Sequence, residues 1–88
     1  MFEYEGYFLD GNSRYDLSND DILLLDACIW LVDNRASIRV TAKNMGFSKS
    51  SFHRSIHRRL RRLSNELYGC VEKQIRVNAL HRTSGRVW

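Results

Sequence analysis

From residue 18 onward the apolar residues return every three or four positions, the spacing of one face of a helix. Ile22, Leu25, Ile29 and Val32 make one row, with Leu24, Cys28 and Leu31 beside it, so a first helix is expected from Ser18 to about Asn34. Ser18 can cap its free backbone amides, and Asp21 is the short capping-box partner three residues on. Asp20 and Asp21 also fit the positive end of the helix dipole. The apolar stripe is wider than one small core needs, so either other helices wrap it on several sides or part of it meets a partner. A second helix is expected at about Ile38 to Met45 after Ser37, with Ile38, Thr41, Ala42 and Met45 inward and Arg39 and Lys43 outward. Gly46 supplies the left-handed turn that ends it. Phe47 anchors that turn, and Ser48 caps a third helix reaching about Leu63. A fourth, from about Asn65 to His81, carries Leu67, Val71, Ile75 and Asn78 on one face, with Gly69 weakening it locally. Residues 82–88 are expected to fray.

The first 17 residues break this pattern. Tyr4, Tyr7, Phe8 and Tyr15 surround Asp10-Gly11, which reads either as a short hairpin turning at Asp10-Gly11 or as a loosely ordered arm. Eighty-eight residues without proline allow one core and favour helices. The fold class expected is all-α: a small helix-turn-helix domain of about four helices, with an N-terminal acidic arm and a C-terminal basic helix and tail. The arm covers residues 1–17, the DNA-binding domain residues 18–88, and the helix-turn-helix core residues 37–60.

Cys28 and Cys70 have no metal-like spacing and sit in apolar surroundings, so both read as buried, reduced thiols. The start Met1-Phe2-Glu3-Tyr4-Glu5 lacks the basic and apolar regions of a signal peptide, and the apolar run at residues 22–32 is too short to span a bilayer. A cytoplasmic protein without membrane attachment is expected.

Charge divides the chain. Residues 1–34 hold eight acids and one arginine, whereas residues 35–88 hold thirteen lysines and arginines and two acids. A basic region of this kind fits a polyanion partner. The acidic arm can also fold over the basic face and compete with DNA, or form a dimer contact through its tyrosines.

Residues 38–56 have the layout of a helix-turn-helix. Ala42 is small where the third helix crosses the second, Gly46 accepts positive φ, and Phe47, Phe52 and Ile56 hold the two helices at a fixed angle. With Phe52 and Ile56 inward, the opposite face presents Ser50, Arg54, His57, Arg58 and Arg61, flanked by Lys49 and His53. Arg54 can fork onto guanine O6 and N7, and Ser48, Ser50 and Ser51 are short enough to let the backbone approach phosphates. Arg58, Arg59, Arg61 and Arg62 form a cluster suited to phosphates, with no carboxylate from Lys49 through Ser64 to neutralise it locally. Arg39 adds charge on the second helix. The DNA-binding set expected is therefore Arg39, Ser48, Lys49, Ser50, His53, Arg54, His57, Arg58, Arg61 and Arg62, with Arg82 and Arg86 from the tail. His53 and His57, four residues apart, have no further metal-ligating residue near them in sequence, so no metal site is assigned. No nucleophile–base pair, acid pair or phosphate-binding glycine loop stands out, so neither catalysis nor a cofactor is expected.

The run from Ile38 through Gly46-Phe47-Ser48 to His53 resembles the signature of the stage III sporulation protein D family, with looser likeness through Arg59-Leu60, Leu67, Val71 and Ile75 to His81-Arg82. The likeness covers about residues 18–86. It implies a small DNA-binding transcriptional regulator of sporulation that activates some promoters and represses others. It also implies a basic segment after the helix-turn-helix that assists binding, here Lys73, Arg76, His81, Arg82 and Arg86. The acidic extension over residues 1–17 has no counterpart in that resemblance, and Arg86 stands where the family tends to repeat glycine.

Two other readings fit the residues. One is a promoter-recognition module like the last domain of a sigma factor, with RNA polymerase as a second partner. The other is a protein-interaction adaptor that uses the acidic arm and the apolar first helix. Double-stranded DNA is the partner the main reading names, with the protein acting as a monomer or homodimer.

Overall fold

The computed structural model describes residues 2–10 and 17–85. Two short strands, β1 (Phe2–Tyr4) and β2 (Tyr7–Leu9), precede helices α1 (Asn19–Asp33), α2 (Ile38–Met45) and α3 (Lys49–Ser55). A π-helical turn (Ile56–Leu60) and α4 (Arg61–Leu63) prolong α3 into one rod, and α5 (Asn65–Gly85) folds back from its end. The helix-turn-helix-like, all-α architecture expected from the pattern is the one observed, with the hairpin as its one β element among the described residues.

Local chemistry explains the helix starts. Ser18, Ser37 and Ser48 are extended, and each hydroxyl accepts from the backbone N–H three residues on, at 3.1, 3.1 and 3.2 Å. Asp21 completes the box by accepting from the Ser18 N–H at 3.1 Å. These bonds satisfy amides that a helix start leaves without partners. At the other end of α1 the chain turns through Arg35, at φ 52°, an unusual conformation for a residue with a Cβ.

The core gathers one face of every helix. Leu24, Leu25, Ala27, Cys28 and Leu31 of α1 meet Ile38 and Ala42 of α2, Phe52, Ile56, Leu60 and Leu63 of the rod, and Leu67 and Val71 of α5. The wide stripe on α1 is thus mostly wrapped by its neighbours, and only Leu23 is left largely exposed. Burial pushes the Cys28 thiol up to about 12. Cys70 is only half-buried, short of the burial expected, because it lies beside rather than on the Leu67–Val71 face.

The hairpin forms, but its turn is not at Asp10-Gly11. The strands pair Phe2 with Leu9, Glu3 with Phe8 and Tyr4 with Tyr7, so Glu5 and Gly6 make the two-residue turn. Both have positive φ, 50° and 93°, the form that matches the twist of paired strands. Asp10 instead docks on the α4–α5 junction, and Gly11 lies outside the described residues.

That junction explains why so short a hairpin persists. Ser64 is extended and breaks the helix, leaving the last carbonyls of α4 and the first amides of α5 without helical partners. Asp10 N–H donates to the Leu63 carbonyl at 2.8 Å, and the Asp10 carboxylate accepts from Asn65 N–H at 2.6 Å. Ser64 Oγ donates to the Phe8 carbonyl at 2.7 Å and accepts from Leu67 N–H at 3.2 Å. Glu66 accepts from Phe8 N–H at 2.9 Å, and Tyr4 donates to Asp26 of α1 at 2.6 Å. Leu9 lies wholly inside the core. These hydrogen bonds run to α1 and the α4–α5 junction.

Helix α5 reaches Gly85, beyond the end expected near His81, so residues 82–85 are helical rather than frayed. Among the described residues no helix is long and apolar enough to cross a membrane.

Candidate nucleic-acid interface

The turn between α2 and α3 fixes which side of α3 faces outward. Gly46 takes the left-handed conformation, φ 81°, and Phe47 N–H returns to the Ala42 carbonyl at 2.8 Å. Ala42 is almost wholly buried at the crossing, and the Phe47 and Phe52 rings pack with centroids 5.5 Å apart. With Phe52 and Ile56 locked inward, the opposite side faces solvent.

On that side Lys49, Ser50, His53, Arg54, His57 and Arg58 line one shallow depression of about 660 Å³. All six are exposed, and its lining holds no carboxylate. Arg39 lies at its edge: a second groove, about 600 Å³, runs between Arg39 of α2, Lys49, and Ile75 and Asn78 of α5. Asn78 fixes α5 there by donating to the Ala36 carbonyl at 3.1 Å. Ser48 stands at the amino-terminal end of α3 with its hydroxyl engaged as the cap, leaving its backbone as the part open to a phosphate.

The arginine cluster does not stay together. Arg59 is half-buried and pairs with Asp21 of α1, a partner 38 residues away. The expectation of an unneutralised phosphate-binding arginine fails at this position. The local count of carboxylates missed a tertiary one, although at about 100° per residue Arg59 falls close to the inward Phe52 direction. Burial alone would raise the Asp21 carboxyl, but bonds from Ser18 and Arg59 outweigh it and hold it below its ordinary value. Arg62 is exposed beside this pair, lining a groove with Asp21, Arg59 and Leu63. Arg61 is exposed on the α5 side, where its charge acts on Tyr68. The side chain of Arg82, and all of Arg86, lie outside the described residues; Lys73 and Arg76 are exposed on α5.

One feature of the site links α3 to α5. The His53 and His57 rings meet edge to face, 4.6 Å apart. His57 Nδ1 lies 3.1 Å from the Tyr68 hydroxyl, which donates to Glu72 at 3.1 Å. Tyr68 and Glu72 belong to α5 and reach His57 only because the chain breaks at Ser64. Among the described residues no three histidines, cysteines or carboxylates are placed to share a metal ion.

The family model described as stage III sporulation protein D matches residues 22–84. No curated protein and no solved structure matches the chain significantly.

Proposed function

This chain belongs to the stage III sporulation protein D family, a family of sporulation-related DNA-binding regulators, and from that premise we propose that it binds specific sites on double-stranded DNA. In this reading α3 enters the major groove, and the domain at residues 18–88 regulates transcription of sporulation genes. The observation that carries the reading is the carboxylate-free depression of Lys49, Ser50, His53, Arg54, His57 and Arg58 on the outer side of α3. Its exposed cations sit on the first turns of a helix, the part that meets base edges in this class of fold.

The residues divide by task. Arg54, mid-depression, reads a base, with a guanine fork as the natural contact. Arg39, Lys49 and Arg58 frame it and meet phosphates, with Arg61 and Arg62 farther along the rod. The Ser48 and Ser50 backbone approaches the same strand, and His53 and His57 complete the groove face.

Selection of duplexes from a random pool, followed by titration across a salt series, tests the proposal. The wild-type chain should enrich one site and lose affinity steeply with salt. Arg54→Ala should weaken the selected site by about 1–3 kcal/mol more than a scrambled duplex. Arg61→Ala or Arg62→Ala should weaken both alike and lower the salt slope by about one unit each. Failure to enrich any duplex, with salt-insensitive binding, would overturn the reading in favour of a protein-interaction adaptor.

A further inference from the structure

A hydroxyl carries one proton, and this fact settles the direction of the chain Glu72–Tyr68–His57. An ionised carboxylate can only accept, so the Tyr68 proton points to Glu72, 3.1 Å away. The phenol oxygen is then an acceptor towards His57 Nδ1, 3.1 Å away, and Nδ1 must bear a proton to fill that contact. The reverse arrangement would leave the phenol and carboxylate oxygens facing each other with no proton between them. Burial and the hydrogen bond to Glu72 raise the phenol above its ordinary value, so it keeps the proton it gives.

A neutral imidazole with its proton on Nδ1 has Nε2 as a bare acceptor. His57 is exposed in the depression that Arg54 and Arg58 also line. The arginines there can only donate, so they match guanine O6 and N7 or phosphate oxygens. An acceptor among them matches the opposite pattern. In the major groove amino groups are offered by adenine N6 and cytosine N4 alone.

We propose that Tyr68 and Glu72 are positioning residues that fix the tautomer of His57, making it an acceptor that selects adenine or cytosine at one position of the DNA site. The proposal rests on the DNA-binding reading, and it gives α5 a part in specificity: the helix that carries the basic segment also sets which base α3 accepts. On the rod itself Arg54, Arg58 and Arg61 can only donate, and His53 meets His57 ring edge to face, so the acceptor placed on Nδ1 is the Tyr68 hydroxyl.

The test has two arms on the full chain, both at pH 8, where an ordinary imidazole is neutral. Nitrogen-15 NMR of the free protein reads the His57 tautomer. The wild type should show the Nδ1–H form. Tyr68→Phe, which keeps the ring packing, should lose that lock, and Glu72→Ala should invert it, because the freed phenol proton then turns to Nδ1. Titration of the selected duplex and its single-base variants reads the consequence. Tyr68→Phe should flatten preference at one position by about three- to tenfold, the worth of one hydrogen bond, with scrambled duplex unaffected. Glu72→Ala should move that preference towards a base offering an acceptor. An Nε2–H wild type, or a Tyr68→Phe protein that keeps every base preference, overturns the proposal while leaving DNA binding intact. A wild type that binds no duplex overturns the DNA reading and the base contact together, and the NMR arm still decides the tautomer lock.

Discussion

The helix-turn-helix and the hairpin are held by opposite kinds of interaction. Between Ser37 and Phe52 the deciding contacts are local: two serine caps reaching three residues on, a left-handed glycine, and a phenylalanine pair five residues apart. The hairpin has one local device, its Glu5-Gly6 turn, and depends otherwise on bonds spanning 22 to 58 residues, to Asp26, Ser64, Asn65 and Glu66. A segment of the first kind carries its geometry wherever it is placed. One of the second kind exists only once the rest has folded, and in return it closes the break between α4 and α5 and seals the core with Leu9. The proposed DNA-binding surface is built on the first, and its stability draws on the second.

Loss of the seal should have the largest effect. Leu9 is fully buried, and Leu9→Ala should cost about 2–5 kcal/mol. In a domain of this size each kcal/mol moves Tm by about 4–8 °C, so thermal unfolding followed by circular dichroism will show it plainly. An unchanged Tm would mean that the hairpin is an ornament and that the comparison is wrong.

The turn should come next. Beyond its own chain neighbours, no atom lies within 4 Å of a Cβ built on Gly46, so a side chain there meets open space and the cost is conformational. Gly46→Val should lose about 1–3 kcal/mol through the strain of a β-branched residue at positive φ. Gly46→Asn, which tolerates that conformation, should melt above the valine variant. Equal melting of the two would place the cause in crowding instead.

The contact between Arg59 and Asp21 should be the smallest and is the one with a pH signature. Asp21 is held below its ordinary carboxyl value in the folded protein. Its contribution is therefore fully present above the unfolded value and lost as the pH falls through the folded one. Arg59→Met should lower Tm slightly at pH 7, and the gap to wild type should close under acid. A gap that persists unchanged in acid would show that Arg59 acts through packing alone.

The same contrast explains what the sequence could reveal. Ser18, Ser37, Ser48 and Gly46 act on residues one turn away, so their spacing alone placed three helix starts and the turn. The outward row of α3 followed from the positions of Phe52 and Ile56. Asp10-Gly11 is the commoner turn pair and so carries the stronger local signal, whereas Glu5 adopts positive φ with only Gly6 to favour it. Arg59 was legible on the helical wheel but not its partner, since Asp21 is brought beside it by the packing of α1 on the rod. Tyr68 and Glu72 left no trace, because their approach to His57 depends on the break at Ser64.

Backbone NMR of the full chain, titrated with its selected duplex, tests the division between reader and seal most directly. Shifts should concentrate at Arg39 and at residues 48–62, with Glu3, Tyr4, Tyr7 and Phe8 unmoved. Shifts centred on the hairpin, with the outer side of α3 silent, would contradict it.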